Sequence, residues 1–353
     1  MKKIVNGLFT LLILLLLCLG FILKESGVFR KIAPHFDGTA EEINSPEGIE
    51  DLTIDHSNGD IYLAATDRRD SEKTGAIYKA NTHQKDLNLI DISKEFPDTE
   101  FRPHGISLLK KHGKIYLFVV NHRNKEHVIT RLDYVNDSLT GFREFRDPLM
   151  ISPNDILAID TATFYFSNDH SLPKGTERTI KDFMLDKNGF VVLYDQDKAE
   201  KVTQNMAYAN GINISPDEQY VYVSATTEKK IFVYRKDPKN HTLEFIDEHN
   251  TGTGVDNIEI DQYGNLIVGA HPKMLKFLGH AQQPENRSPS QILKIVYLPE
   301  TDYKFLQEEL YLNNGDPLSG SSVGAYFEKK DGTNDLFIGS VFESKILRLH
   351  RNL

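Results

Sequence analysis

The chain has 353 residues with 39% apolar content, and its 51 Asp and Glu outnumber its 41 Lys and Arg, for a formal net charge of −10 at pH 7. With no run of five like charges and no basic patch rich in aromatics, this balance excludes a nucleic-acid binder, which needs clustered Lys and Arg against phosphate. The length suits two ordinary domains or one large closed β architecture, and repeats must decide between them.

At the N-terminus, "MKK" precedes an uncharged stretch from Asn6 to Leu23, mostly Leu, Ile and Phe, that ends at Lys24. Its composition is that of an export signal. Because "LCLGFILKE" offers no small-residue cleavage pattern, residues 1–29 read as an uncleaved signal-anchor, with a removed signal peptide as the alternative. Positive charge on the N-terminal side puts the body, residues 30–353, outside the cytoplasm, either membrane-anchored through this segment or secreted. Cys18, inside the stretch, is the only cysteine, so the exported body has no disulfide and rests on its core or on metal.

From about residue 49 one phrase recurs: a polar head, an alternating apolar strand, a turn with Asp, Gly or Asn, and a second strand rich in Tyr, Val and Ile. The six copies begin at 49 ("IEDLTIDHSNGDIYLAAT"), 103 ("PHGISLLKKHGKIYLFVVNH"), 153 ("PNDILAIDTATFYFSNDH"), 209 ("ANGINISPDEQYVYVSAT"), 255 ("VDNIEIDQYGNLIVGAHP") and 321 ("SSVGAYFEKKDGTNDLFIGSVF"). Period-two alternation marks strands rather than helices. A repeat near 50 residues with four strands per unit predicts an all-β, six-bladed β-propeller, whose closure removes the exposed sheet edges of an open array. "RTIKDFMLD", from Arg178, reads as a short inserted helix, and the segment 273–291 yields no physical reading.

In a propeller the first strand of each blade lines the central channel, so the heads converge although they are about 50 residues apart. They are Glu50 with Asp51, His104, Asn154 with Asp155, Asn210, and Asp256 with Asn257. Carboxylate, amide and carbonyl oxygens arriving from several directions suit calcium, which takes six to eight hard oxygen ligands; zinc would want Cys or more His.

At these heads the chain resembles the paraoxonase, or arylesterase, family of calcium-dependent six-bladed propeller lactonases. More distantly it is similar to the gluconolactonase and senescence-marker-protein group. The likeness runs from about Glu47 to Leu349 through "IEDL", "RPHGIS", "LFVVNH", "PNDILA", "FSNDH", "YANGINISPD", "VDNIEID", "GAHP" and "GSVF". It implies two Ca2+ ions: a catalytic one held by Glu50, Asn154, Asn210, Asp256 and Asn257, and a structural one held by Asp51, Asp155 and the Ile106 carbonyl. Neighbours in an extended strand point to opposite sides, so adjacent residues can serve different ions.

The same resemblance implies hydrolysis of small lactones and aryl esters, with Ca2+ polarising the carbonyl and a water activated by His104, assisted by His122, attacking it. It places Tyr208, His271, Asp169, His170, Val341 and Phe342 about the substrate pocket. Mammalian members join their ends by a disulfide that this chain lacks, so closure is expected from pairing of the N-terminal segment with the last blade. The alternative function is a non-catalytic, calcium-braced propeller serving as an extracytoplasmic binding module.

Overall fold

Runs such as "IYLAA" and "FYFSN" fold as strands buried on both faces (Asp60–Ala65, Thr163–Asn168), and polar turns return the chain antiparallel each time. The computed structural model describes residues 2–135, 137–173, 175–329 and 332–351, and among these it forms twenty-four strands in six four-stranded sheets. The six-bladed propeller expected from the repeat is the fold. The innermost strands are Ile49–Asp55, Pro103–Lys111, Pro153–Asp160, Ala209–Ile214, Gly254–Ile260 and Ser321–Glu328, here heading blades 1 to 6, and they contact one another in ring order.

Closure is by strand exchange. Thr39–Asn44, from the N-terminal side, forms the outer edge of blade 6, paired antiparallel with Lys345–Arg351 from Thr39↔His350 to Asn44↔Lys345. Arg348 then ties blade 6 to blade 1: its guanidinium grips Asp335 at 2.7 and 2.9 Å and donates to the Thr82 carbonyl at 2.8 Å. The apolar core divides into six clusters, one at each blade interface. Phe118, Phe145, Phe164 and Tyr194, for example, pack between blades 2 and 3, and Ile49, Leu52, Val323 and Phe337 between blades 1 and 6. Each fully buried side chain of this size stabilises by about 1.5–3 kcal/mol, so every interface resists splaying of the ring.

Three helices depart from the β pattern. Helix α1 (Lys2–Glu25) buries no residue and is long and apolar enough to cross a membrane. Helix α2 (Thr176–Phe183) is the insertion expected after the third copy, and α3 (Met274–Gln282) lies in the 273–291 stretch, where no element is expected.

Candidate active site

The heads of the innermost strands owe their geometry to one repeated irregularity. The register of each strand with its neighbour slips at its head: between Ile49 and Asp51, Pro103 and Ile106, Pro153 and Ile156, Ala209 and Ile212, Val255 and Ile258, and Ser321 and Val323; the blade 3 strand slips again between Ala158 and Asp160. A β-bulge frees residues from the ladder and re-aims their side chains. Glu50, His104, Asn154, Asp155, Asn210, Asp256 and Asn257 all lie in these slips. Bulges of adjacent blades nearly touch: a Cβ on Gly105 would fall 2.6 Å from the Asp155 Cα, and one on Gly211 would fall 2.7 Å from the Asn257 Cα, so no larger residue fits.

The freed residues form two layers. In the upper one Glu50, Asn154, Asn210, Asp256 and Asn257 are all buried, drawn from blades 1, 3, 4 and 5. Glu50 Oε2 and the side-chain oxygens of Asn154, Asn210 and Asn257 have no hydrogen-bond partner. Their nitrogen ends are better placed: Asn257 Nδ2 donates to Glu50 Oε1 at 2.9 Å and Asn210 Nδ2 to Thr226 Oγ1 at 3.0 Å, turning the amide oxygens away from those partners. Burial pushes the Glu50 carboxyl up to about 7, against the pull of Arg68 and with the nearby charge of Asp256 adding to the rise. Among the described residues no three His, Cys, Asp or Glu side chains group around an ion position, because amides supply most of this oxygen set.

The lower layer is differently bonded. Asp51 accepts from its neighbour Leu52 N–H at 2.9 Å and from Ile106 N–H of blade 2 at 2.8 Å. Asp155 does the same with Ile156 at 2.7 Å and with Ile212 of blade 4 at 2.8 Å. Both carboxyls are raised well above their ordinary range, chiefly by burial. With Ile106 they border a cavity of about 130 Å³ whose wall also carries Glu259, pushed up to about 8 by burial. Glu259 lies two residues past Asn257 in "VDNIEID", outside the polar head that marks the other site residues.

Above the upper layer lies a cavity of about 260 Å³ whose lining includes Glu50, His104, Asn154, Tyr208, Asn210, Asp256, His271 and Val341. His122, Asp169, His170 and Phe342 are not on that lining. His122 packs edge-on against His104 at 4.8 Å and meets His127 with Nδ1 atoms 2.8 Å apart. Asp169 pairs with Arg178 at 2.7 Å, His170 Nδ1 accepts from Leu172 N–H at 2.9 Å, and Phe342 backs Phe277 at 5.8 Å. Tyr208 holds a left-handed φ of 63°, a conformation that surrounding structure must impose.

The two imidazoles on the lining differ in what they present. Arg68 Nη2 donates to His104 Nδ1 at 3.0 Å; since a guanidinium has only donors, a neutral His104 carries its proton on Nε2, 3.6 Å from Glu50 Oε1. His271 Nε2 lies 2.7 Å from Asp256 Oδ2, and a carboxylate accepts, so Nε2 donates. In the neutral ring Nδ1 is then the acceptor; it is buried without a partner, and the ring stacks on Phe277 at 3.8 Å. Arg68 was missed in the sequence because nothing local marks it. Two helices complete the wall with residues at i, i+3, i+4 spacing: Thr179, Asp182 and Phe183 on α2, which the sequence marks as a short insertion, and Met274, Phe277 and Leu278 on α3, which it does not mark.

The arylesterase family model matches residues 43–348, nearly the whole propeller. The chain belongs to the arylesterase family. Serum paraoxonase/arylesterase 1 of Homo sapiens is 31% identical over 279 residues, covering 77% of this chain and 76% of that protein. Serum paraoxonase/arylesterase 2 of Canis lupus familiaris is also 31% identical, over 277 residues, with 77% and 75% covered. Among solved structures, a luciferin-regenerating enzyme superposes with a TM-score of 0.55 at 15% identity, covering 90% of this chain and 96% of its own. A putative gluconolactonase gives 0.52 at 13%, covering 90% and 94%. These last two share the fold. Family membership makes the protein an ester-hydrolysing enzyme, with esters and lactones as its general substrate class.

Proposed function

We propose that this chain is a Ca2+-dependent hydrolase of lactones and aryl esters, with the ion held by Glu50, Asn154, Asn210, Asp256 and Asn257. One observation carries the reading: four buried oxygens from four blades lack any hydrogen-bond donor. An acceptor left so costs about 1–3 kcal/mol, which a hard divalent cation removes. The donor set of amides and carboxylates fits calcium. When bound, Ca2+ supplies a Lewis acid for the carbonyl oxygen. A second ion fits the deeper carboxylates Asp51 and Asp155 with the Ile106 carbonyl, where mutual repulsion and burial both favour a cation.

The chain's own residues do the rest. Phe183, Phe277, Leu278 and Val341 exclude bulk water and orient the acyl portion above the floor. A base must take a proton from the attacking water; the alcohol leaves with one proton and the acid product departs as carboxylate, so one proton per turnover goes to solvent. His104, with His122 behind it, is the base the family resemblance favours, and it must release Arg68 to accept at Nδ1. A second reading has specific support: His271 already offers an open Nδ1, with Asp256 fixing its tautomer as a triad carboxylate fixes a catalytic histidine. The body is proposed to lie outside the cytoplasm, anchored by α1.

The test uses the full-length protein in detergent with phenyl acetate and a δ-lactone. Turnover that stops on chelation and returns with calcium is expected. Activity unchanged by thorough chelation, or by Asn210→Ala, sinks the proposal.

A further inference from the structure

The cavity over the floor has a neighbour. A second chamber of about 280 Å³ abuts the catalytic one of about 260 Å³, and Asp182, Phe183, Thr226, Thr227, His271 and Met274 border both. Each alone falls below the ~300–1,000 Å³ usual for a small-molecule site, whereas the pair together lies within it. The lining of this outer chamber includes the end of α1, through Ile22 and Glu25, and the turn that follows it, through Ser26 and Gly27.

That end of the helix is seated on the propeller by contacts to two blades. Glu25 pairs with Lys229 of blade 4 at 2.7 Å. After blade 5, Met274 N–H donates to the Ser26 carbonyl at 3.0 Å, and Lys273 Nζ donates to the Val28 carbonyl at 3.2 Å. Gly27 adopts φ +73°, and a Cβ there would come within 2.2 Å of the Pro272 carbonyl oxygen, so the chain passes at a distance only glycine allows. The first part of α1 is exposed throughout, while Ile22, Leu23 and Glu25 in the last turns are half-buried. A leader with no role after export has no need of such fitted contacts beside the catalytic chamber.

We propose that the outer chamber is the second half of the substrate site and that the last turn of α1 is its wall, so the enzyme takes esters or lactones whose aliphatic chain outgrows the inner chamber. This rests on the hydrolytic reading above. The carbonyl sits over the floor formed by Glu50, Asn154 and Asn210, and the chain passes between Phe183 and Met274 to end against Ile22. A buried methylene is worth about a fourfold change in kcat/KM, so chain length is read as a steep preference.

The full-length protein in detergent is assayed with p-nitrophenyl acetate and p-nitrophenyl octanoate, each variant expressed relative to wild type on the same ester so that partition into micelles cancels. Ile22→Trp, which fills the outer chamber, should lower kcat/KM for the octanoate at least tenfold more than for the acetate, mainly through KM. Ile22→Ala, which enlarges it, should shift the preference toward the decanoate ester. Equal effects on short and long esters from both variants overturn the proposal while leaving the hydrolytic reading standing. Failure of the wild type to hydrolyse any of these esters overturns both.

Discussion

Asn154 and Asp155 are neighbours in sequence and belong to opposite regimes of the same channel. The upper layer, with Glu50, Asn154, Asn210 and Asn257, keeps buried oxygens without a hydrogen bond, although Glu50 Oε2 faces the Arg68 guanidinium at 3.6 Å. One residue deeper, Asp51 and Asp155 have both carboxylate oxygens occupied by backbone N–H groups, one from their own strand and one from the next blade. The upper layer, proposed to hold the catalytic ion, leaves acceptors open, whereas the lower one, proposed to hold the second ion, also staples blade 1 to 2 and blade 3 to 4. The two patterns of bonding are thus one residue apart in the chain, inside the bulge that re-aims the strand heads.

The comparison breaks most sharply at Asp155. Asp155→Ala leaves the Ile156 and Ile212 N–H groups without acceptors, and at about 1–3 kcal/mol each the calcium-free protein should lose on the order of 2–6 kcal/mol in urea unfolding. Asn154→Ala removes an acceptor that had no donor, so its calcium-free stability should stay within about 0.5 kcal/mol of wild type. Comparable losses in the two variants would erase the distinction between the layers.

Activity should respond in the reverse sense. Asn210→Ala is expected to lower kcat for phenyl acetate by about 10²–10³, the scale of losing one element of oxyanion stabilisation, together with the calcium-dependent rise in Tm. Next in size is calcium itself. At a hundredfold excess over its dissociation constant, a ligand confined to the folded state stabilises by about 2.7 kcal/mol, readable as a Tm shift reversed by chelation.

pH sharpens the contrast further. Burial raises Glu50 from 4.5 to about 7 and Glu259 from 4.5 to about 8, so the folded chain binds these protons more tightly than the unfolded chain does. Their contribution is therefore greatest at acid pH and is lost as pH rises from about 4.5 through about 8. Calcium-free Tm should fall across that window and calcium should flatten the fall; a calcium-free Tm that climbs instead would contradict it. The smallest effect expected separates the two imidazoles: His271→Gln should reduce kcat by about 10²-fold, and His104→Gln by less, if the open Nδ1 is the base. The opposite ranking restores His104 to that role.

The blade count was legible because each blade repeats one pattern of polar head, alternating strand and turn, and local alternation suffices to specify a strand. The heads were legible for the same reason, and closure by the N-terminal strand followed from the missing disulfide. Of the two helices that wall the cavity, α2 was legible as a short insertion, whereas α3 was not, because its nine residues are followed by the polar, turn-rich run up to Gln291. Arg68, Glu259 and the pairing of His271 with Asp256 left no local trace.

By itself, then, the sequence determined which residues are offered to the channel, since bulged heads and alternation are properties of a few consecutive residues. Which oxygens are left unpaired, which carboxylates are stapled, and that α1 closes the outer chamber were decided only when the ring shut. Those facts depend on contacts such as Asn257 with Glu50, 207 residues apart, and Lys229 with Glu25, 204 apart, whose geometry no local preference can encode.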